Sequence, residues 1–80
     1  MRTLHIEYYA SLREARGLSR ESLQSDAATP GELYESLRAV HGFRLRADQL
    51  RVVVNEEFAD WDAPLREGDT IVFIPPVAGG

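Results

Sequence analysis

Leu4-His5-Ile6-Glu7-Tyr8-Tyr9 alternates with period two, which predicts a half-buried strand. Leu4, Ile6 and Tyr8 fall on one face and His5, Glu7 and Tyr9 on the other, because successive strand side chains point to opposite sides. Ser11 to Arg16 predicts a short helix that Gly17 stops, and Leu18 to Gln24 predicts a second strand in a hairpin with the first. A stronger signal follows in Thr29-Pro30-Gly31-Glu32. Thr29 can cap a helix, Pro30 suits its first position and Glu32 completes a capping box. The helix carries Leu33, Leu37 and Val40 on one face, with Tyr34 flanking, and stops at Gly42.

Phe43 to Asp48 has no period. Leu50-Arg51-Val52-Val53-Val54 is rich in β-branched residues and predicts a strand fit for a sheet interior. Asn55-Glu56-Glu57 predicts a turn, Phe58-Ala59 a brief return strand, and Asp62 to Leu65 a turn or short helical segment. Glu67-Gly68-Asp69 then turns tightly into a last strand, Thr70 to Ile74. No crossover long enough for a parallel pair follows the first strand, so a hairpin is forced there. One long helix across one face of a mixed sheet of four or five strands is the α+β solution. No repeat or linker interrupts the pattern, which predicts one domain over residues 1–76 and a tail over 77–80.

After the last strand comes Pro75-Pro76-Val77-Ala78-Gly79-Gly80. Two prolines lack the N–H that sheet pairing needs, so pairing ends there and the chain leaves as a stiff extended segment. Beyond Val77 the side chains shrink to a methyl group and then to nothing. Such a stalk and thread suits insertion into a narrow channel of another protein, where any Cβ would clash. The reactive group it delivers is the α-carboxylate of Gly80.

Composition narrows the chemistry. Eighty residues bury one core. The first residues alternate instead of forming an apolar block, and no apolar run approaches the ~20 residues of a membrane helix, so a cytoplasmic protein without a membrane partner is expected. A formal charge of −4 argues against nucleic acid and favours docking to a protein surface. Cysteine is absent, which removes disulfides, thiolate metal sites and a cysteine nucleophile. All nine basic residues counted as Lys or Arg are arginine, so no side chain can accept an isopeptide bond. No glycine-rich phosphate loop follows a strand, and His5 and His41 lack ligand-like spacing. Neither a metal site nor a bound cofactor is expected, and the chain does not read as a free-standing catalyst.

Pro75-Pro76-Val77-Ala78-Gly79-Gly80 after a strand resembles the tail of the MoaD family, the small sulfur-carrier subunits of molybdopterin synthase. Tyr8-Tyr9-Ala10 with Leu12-Arg13-Glu14 is similar to that family's first strand and helix, and Val54-Asn55, Pro64-Leu65 and Gly68-Asp69 are similar to its second half. The resemblance implies a β-grasp, ubiquitin-like fold. It also implies a route for Gly80: an activating enzyme adenylates it with ATP and magnesium, and a sulfur donor such as a cysteine desulfurase makes a thiocarboxylate. The tail, Pro75 to Gly80, then enters the large synthase subunit and gives sulfur to cyclic pyranopterin monophosphate. Adenylation has a physical reason, since a free α-carboxylate (pKa ~3.3–3.7) is an unreactive anion at neutral pH.

Alternation supplies a docking face. Tyr9, Val72 and Ile74 point away from the face given to the helix, and one long helix leaves the second face uncovered. Phe58 joins them, at a position similar to a partner-contacting one in the family. Two other readings stand beside the first: a carrier for thiamine, cysteine, tRNA thiolation or a tungsten cofactor, and a protein modifier conjugated through Gly80.

Overall fold

The computed structural model describes residues 1–76. Five strands form one sheet: β1 (Arg2–Tyr8), β2 (Arg20–Ser25), β3 (Arg51–Val54), β4 (Glu57–Ala59) and β5 (Thr70–Ile74). Their order across the sheet is β2-β1-β5-β3-β4. Only β1 and β5 run parallel; every other neighbouring pair is antiparallel. A short helix α1 (Ala10–Arg16) joins β1 to β2, and the long helix α2 (Pro30–His41) carries the chain from β2 toward the far side of the sheet. A 3₁₀ turn over Ala47–Gln49 precedes β3.

Local signals place the helix ends. Gly17 and Gly42 close α1 and α2 at φ 82° and 69°, where a side chain would crowd the following carbonyl, and their N–H groups bond back to the carbonyls of Arg13 and Arg38. At the start of α2, Thr29 Oγ1 accepts from the Glu32 N–H at 3.2 Å. The reciprocal bond of the capping box is displaced by one residue: Glu32 Oε1 accepts from the N–H of Ala28 and not from that of Thr29. The N–H of Gly31 is taken by the carbonyl of Trp61 at 2.9 Å, which ties the loop after β4 to the helix start.

The core lies between α2 and one face of the sheet. Leu4, Ile6 and Tyr8 from β1, Val52 from β3, Ile71 and Phe73 from β5, and Leu33, Tyr34 and Leu37 from α2 are all buried. Register puts Ile6, Ile71 and Val54 in one row and Tyr8, Phe73 and Val52 in the next. Phe73 stacks on Trp61 with 5° between the rings and meets Tyr34 at 5.1 Å.

Two assignments along α2 change. Val40, expected on the buried face, is 75 % exposed, and Tyr34, expected to flank it, is fully buried. At about 100° per residue the buried stripe of Pro30, Leu33, Tyr34 and Leu37 is centred away from position 40. The Tyr34 hydroxyl donates to the carbonyl of Leu45 at 2.7 Å, so its burial leaves no polar atom unpaired. A single long helix gripped by a mixed sheet is the β-grasp arrangement.

Candidate functional site

Among the described residues no helix or strand covers the face of the sheet turned away from α2. A row across it reads Arg20, Glu7, Val72, Val53 and Phe58, and the row nearer the end of β5 holds Ile74 and Arg51. Tyr9 follows β1 as the N-cap of α1, and Ala10 after it takes φ 50°, which swings the chain sharply out of the strand. Tyr9, Val53, Val72 and Ile74 line one shallow depression of about 590 Å³ together with Glu7, Asn55, Glu56 and Thr70. Tyr9 is 49 % exposed and Phe58 68 % exposed.

The structure thus brings Tyr9, Val72 and Ile74 together around a single depression, as their alternation predicts. Phe58 shares the face but stands at its β4 edge, across Val53 from Val72. Two residues of the face were missed in the sequence. Val53 and Arg51 alternate with Leu50, Val52 and Val54, so strict period two would have turned both outward. The apolar character of Val52-Val53-Val54 concealed that alternation.

The lower rim of the face is held by side chains and not by packing. Asn55 and Glu56 make the β3–β4 turn with φ of 51° and 73°, a left-handed pair that suits the twist of a two-residue hairpin. Asn55 tolerates that conformation; for Glu56 it costs about 1–3 kcal/mol. The Asn55 amide donates to Asp69 Oδ1 at 2.8 Å, and its carbonyl oxygen accepts from the Thr70 N–H at 3.0 Å. Asp69 Oδ2 accepts from the Arg66 N–H at 2.8 Å. Among the described residues Asp69 is the one buried carboxylate, and both its oxygens are used. This latch fixes the turn before β5 against the turn after β3.

At the opposite edge, Glu21 of β2 receives Arg16 through two bonds of 2.9 Å and the Tyr8 hydroxyl at 2.6 Å. The Arg16 guanidinium, with the tyrosine hydroxyl in support, holds the Glu21 carboxyl below its ordinary value despite partial burial. Burial first, then the bond to Glu21, pushes the Tyr8 phenol well above its usual range. This cluster joins α1 to the sheet edge. It faces away from the depression, and its role is structural.

The last strand leads straight to the tail. Ile74 pairs with Arg51, Pro75 is buried and Pro76 is exposed. A groove of about 350 Å³ runs beside them, lined by Asp48, Gln49, Leu50, Arg51, Ile74, Pro75 and Pro76. Val77, Ala78, Gly79 and Gly80, the thread expected to carry the chemistry, lie outside the described residues. Among the described residues no group of three or more His, Asp or Glu side chains is placed to hold a metal ion. No described helix is long and apolar enough to cross a membrane. Glu56, Glu57, Asp60 and Asp62 are all exposed, as solvated turn residues are.

One long helix on one face of a five-stranded mixed sheet is the ubiquitin-like β-grasp fold, and known proteins bear out that class. The chain matches the ThiS family over residues 6–80, and it belongs to that family. Two curated relatives are each called molybdopterin synthase sulfur carrier subunit. One, from Haemophilus influenzae, is 32 % identical over 81 residues; the other, from Escherichia coli, is 29 % identical over 80. Each alignment covers 96 % of this chain and 99 % of the relative. The crystal structure of SAMP1 (small archaeal modifier protein 1) from Haloferax volcanii superposes with a TM-score of 0.80 at 25 % identity, covering 98 % of this chain and 99 % of that one. The fold also recurs in the complex of subunits 1 and 2 of molybdopterin-converting factor from Helicobacter pylori, with a TM-score of 0.68 at 23 % identity over 98 % of this chain and 99 % of that one.

Proposed function

We propose that this chain is the cytoplasmic sulfur-carrier subunit of a molybdopterin synthase. In this reading an activating enzyme binds ATP and magnesium and adenylates Gly80, which turns an inert carboxylate into a mixed anhydride and releases pyrophosphate. A sulfur donor such as a cysteine desulfurase supplies sulfide equivalents that displace AMP, leaving one sulfur where one carboxylate oxygen had been. The thiocarboxylate then enters the large synthase subunit, which supplies the catalytic groups, and gives its sulfur to cyclic pyranopterin monophosphate. The domain presents and the tail reacts.

The observation that supports this reading most is continuity. The open face of Tyr9, Val53, Phe58, Val72 and Ile74 runs directly onto Pro75 and Pro76. A protein that covers the face is therefore positioned to receive residues 77–80. The curated relatives carry the same function in their names.

The test is intact-mass analysis after incubation with the host's cell extract, ATP and a sulfur source. A gain equal to one sulfur replacing one oxygen, localised to Gly80, is the expected result. Removing Gly79 and Gly80 should leave the fold intact and abolish sulfur transfer in a reconstituted pterin assay. Retained transfer would sink the reading.

A second reading, a modifier joined through Gly80 to lysines of other proteins, has its own support in the likeness to SAMP1, and a carrier serving another sulfur-requiring pathway stands beside it. Co-purification with a large synthase subunit favours the first reading. Recovery of the tail on target lysines favours the second.

A further inference from the structure

The open face is apolar along its middle and charged at its ends, and the two ends differ. Glu56 and Glu7 border the depression away from the tail, and Glu7 faces Arg20 across the β1–β2 pair. Toward the tail stands Arg51, cross-strand from Ile74 and lining the groove that holds Pro75 and Pro76. Its guanidinium lies over the Phe58 ring, 5.6 Å from the centroid. Among the described residues Arg51 forms no ion pair; the acid that shares its groove, Asp48, is bound to Arg46 at 3.0 Å.

We propose that Arg51 is the charged anchor by which this chain recognises the protein that takes its tail, pairing with a carboxylate of that protein at the mouth of the channel the tail enters. Three observations carry this. A partner that covers Phe58 and Ile74 also covers Arg51, and a guanidinium taken out of water without a counter-charge costs several kcal/mol. The partner must therefore bring an anion. The cation–π contact with Phe58 restricts the side chain in advance, so its planar fork meets a carboxylate with less further ordering. Arginine and aromatic side chains are also among the residue types enriched at interface hot spots. The net charge of −4 makes a polyanion an unsuitable occupant of the same face, which leaves an isolated carboxylate on a protein.

The arrangement also sets direction. With Arg51 by Pro75 and Pro76 and Glu56, unlike Glu7, without a cross-strand arginine at the far end, a partner bearing an acid at its channel and a basic group beyond is favoured in one orientation. That is the orientation that aims residues 77–80 into the channel.

This role for Arg51 rests on the carrier reading, and the two are separated by one titration. The host's large synthase subunit is titrated with the full chain, with Arg51→Glu and with Arg51→Lys, at low and high salt. Arg51→Glu should bind about 10- to 100-fold more weakly at low salt, Arg51→Lys less than about tenfold more weakly, and the differences should narrow at high salt. Exchange of one acidic residue at the channel mouth of the large subunit for arginine should restore binding of Arg51→Glu, a rescue that a merely structural role would not produce. Coincident thermal unfolding of all three proteins excludes misfolding as the cause. Arg51→Glu binding within about twofold of the unaltered chain at both salt concentrations would overturn the role of Arg51 alone. Failure of the unaltered chain to bind the large subunit would overturn the carrier reading and this role with it.

Discussion

On the covered face Ile6, Ile71 and Val54 lie in one row; in the next row across the sheet, Glu7, Val72 and Val53 of the same strands, joined by Phe58 of β4, lie on the open face. Ile6 and Ile71 have no solvent contact, whereas Phe58 is 68 % exposed. The apolar side chains of the two rows are of the same kind. What separates them is that α2, the one long helix among the described residues, covers one face. Burial on its side is completed within the chain and becomes stability. Burial on the other side needs a second molecule, and in the proposed reading it serves recognition. A small domain can keep these properties apart because period two assigns neighbouring residues to different faces.

Substitutions on the two faces should therefore separate. Phe73→Ala removes a ring that touches Tyr34 and Trp61, and it should lower stability by about 3–5 kcal/mol, read as a lower urea midpoint at unchanged slope. A loss below about 1 kcal/mol would break the contrast between the faces. Asn55→Ala should cost about 1–3 kcal/mol by leaving the buried Asp69 short of a donor, measured in the same way.

A smaller effect tracks pH at the β1–β2 edge. Glu21 is held below its ordinary value of 4.5 by Arg16, so the stability this contributes is present above 4.5 and is lost as pH falls through the lower folded value. Tyr8 keeps its proton past the ordinary 10.0, so stability also declines once pH rises above that value. Urea midpoints followed against pH should show an acid limb that is shallower in Glu21→Gln. An identical limb would remove Glu21 from the account.

The smallest change in stability, within about 0.5 kcal/mol, is expected for Phe58→Ala, yet the same substitution should weaken binding of the large synthase subunit by about 2 kcal/mol. Ile74→Arg should likewise leave the fold intact while reducing complex formation, read by chromatography of the mixed subunits. A variant that lost stability and kept binding would reverse the roles assigned to the two faces.

Much of this was legible from short-range signals. Thr29, Pro30 and Gly42 marked α2 to the residue, and the alternation of Leu4 to Tyr9 and of Thr70 to Ile74 assigned faces correctly. Val53 was hidden because three consecutive valines read as interior whichever way they point. Val40 was misassigned because Leu33 and Leu37 define a stripe without fixing which side of it meets the sheet. The Asn55–Asp69 latch, the Glu21 cluster and the Arg51–Phe58 contact join residues that are distant in sequence or on different elements, and no local pattern announces them.

The amino-acid order alone placed both ends of α2, because caps, prolines and period act within a few residues of themselves, but it left the ends of β1 and β2 one or two residues off and gave no sign of the 3₁₀ turn over Ala47–Gln49. It also determined that pairing stops at Pro75, since a proline lacks its N–H in any fold. The folded sheet alone shows that β5 lies between β1 and β3, which brings Tyr9, Val53, Val72 and Ile74 around one depression and places Arg51 beside Pro75 and Pro76. The physical reason is that strand order and register are settled by burying one face of the whole sheet at once under α2. That free energy depends on every strand together and resides in no single stretch of the chain.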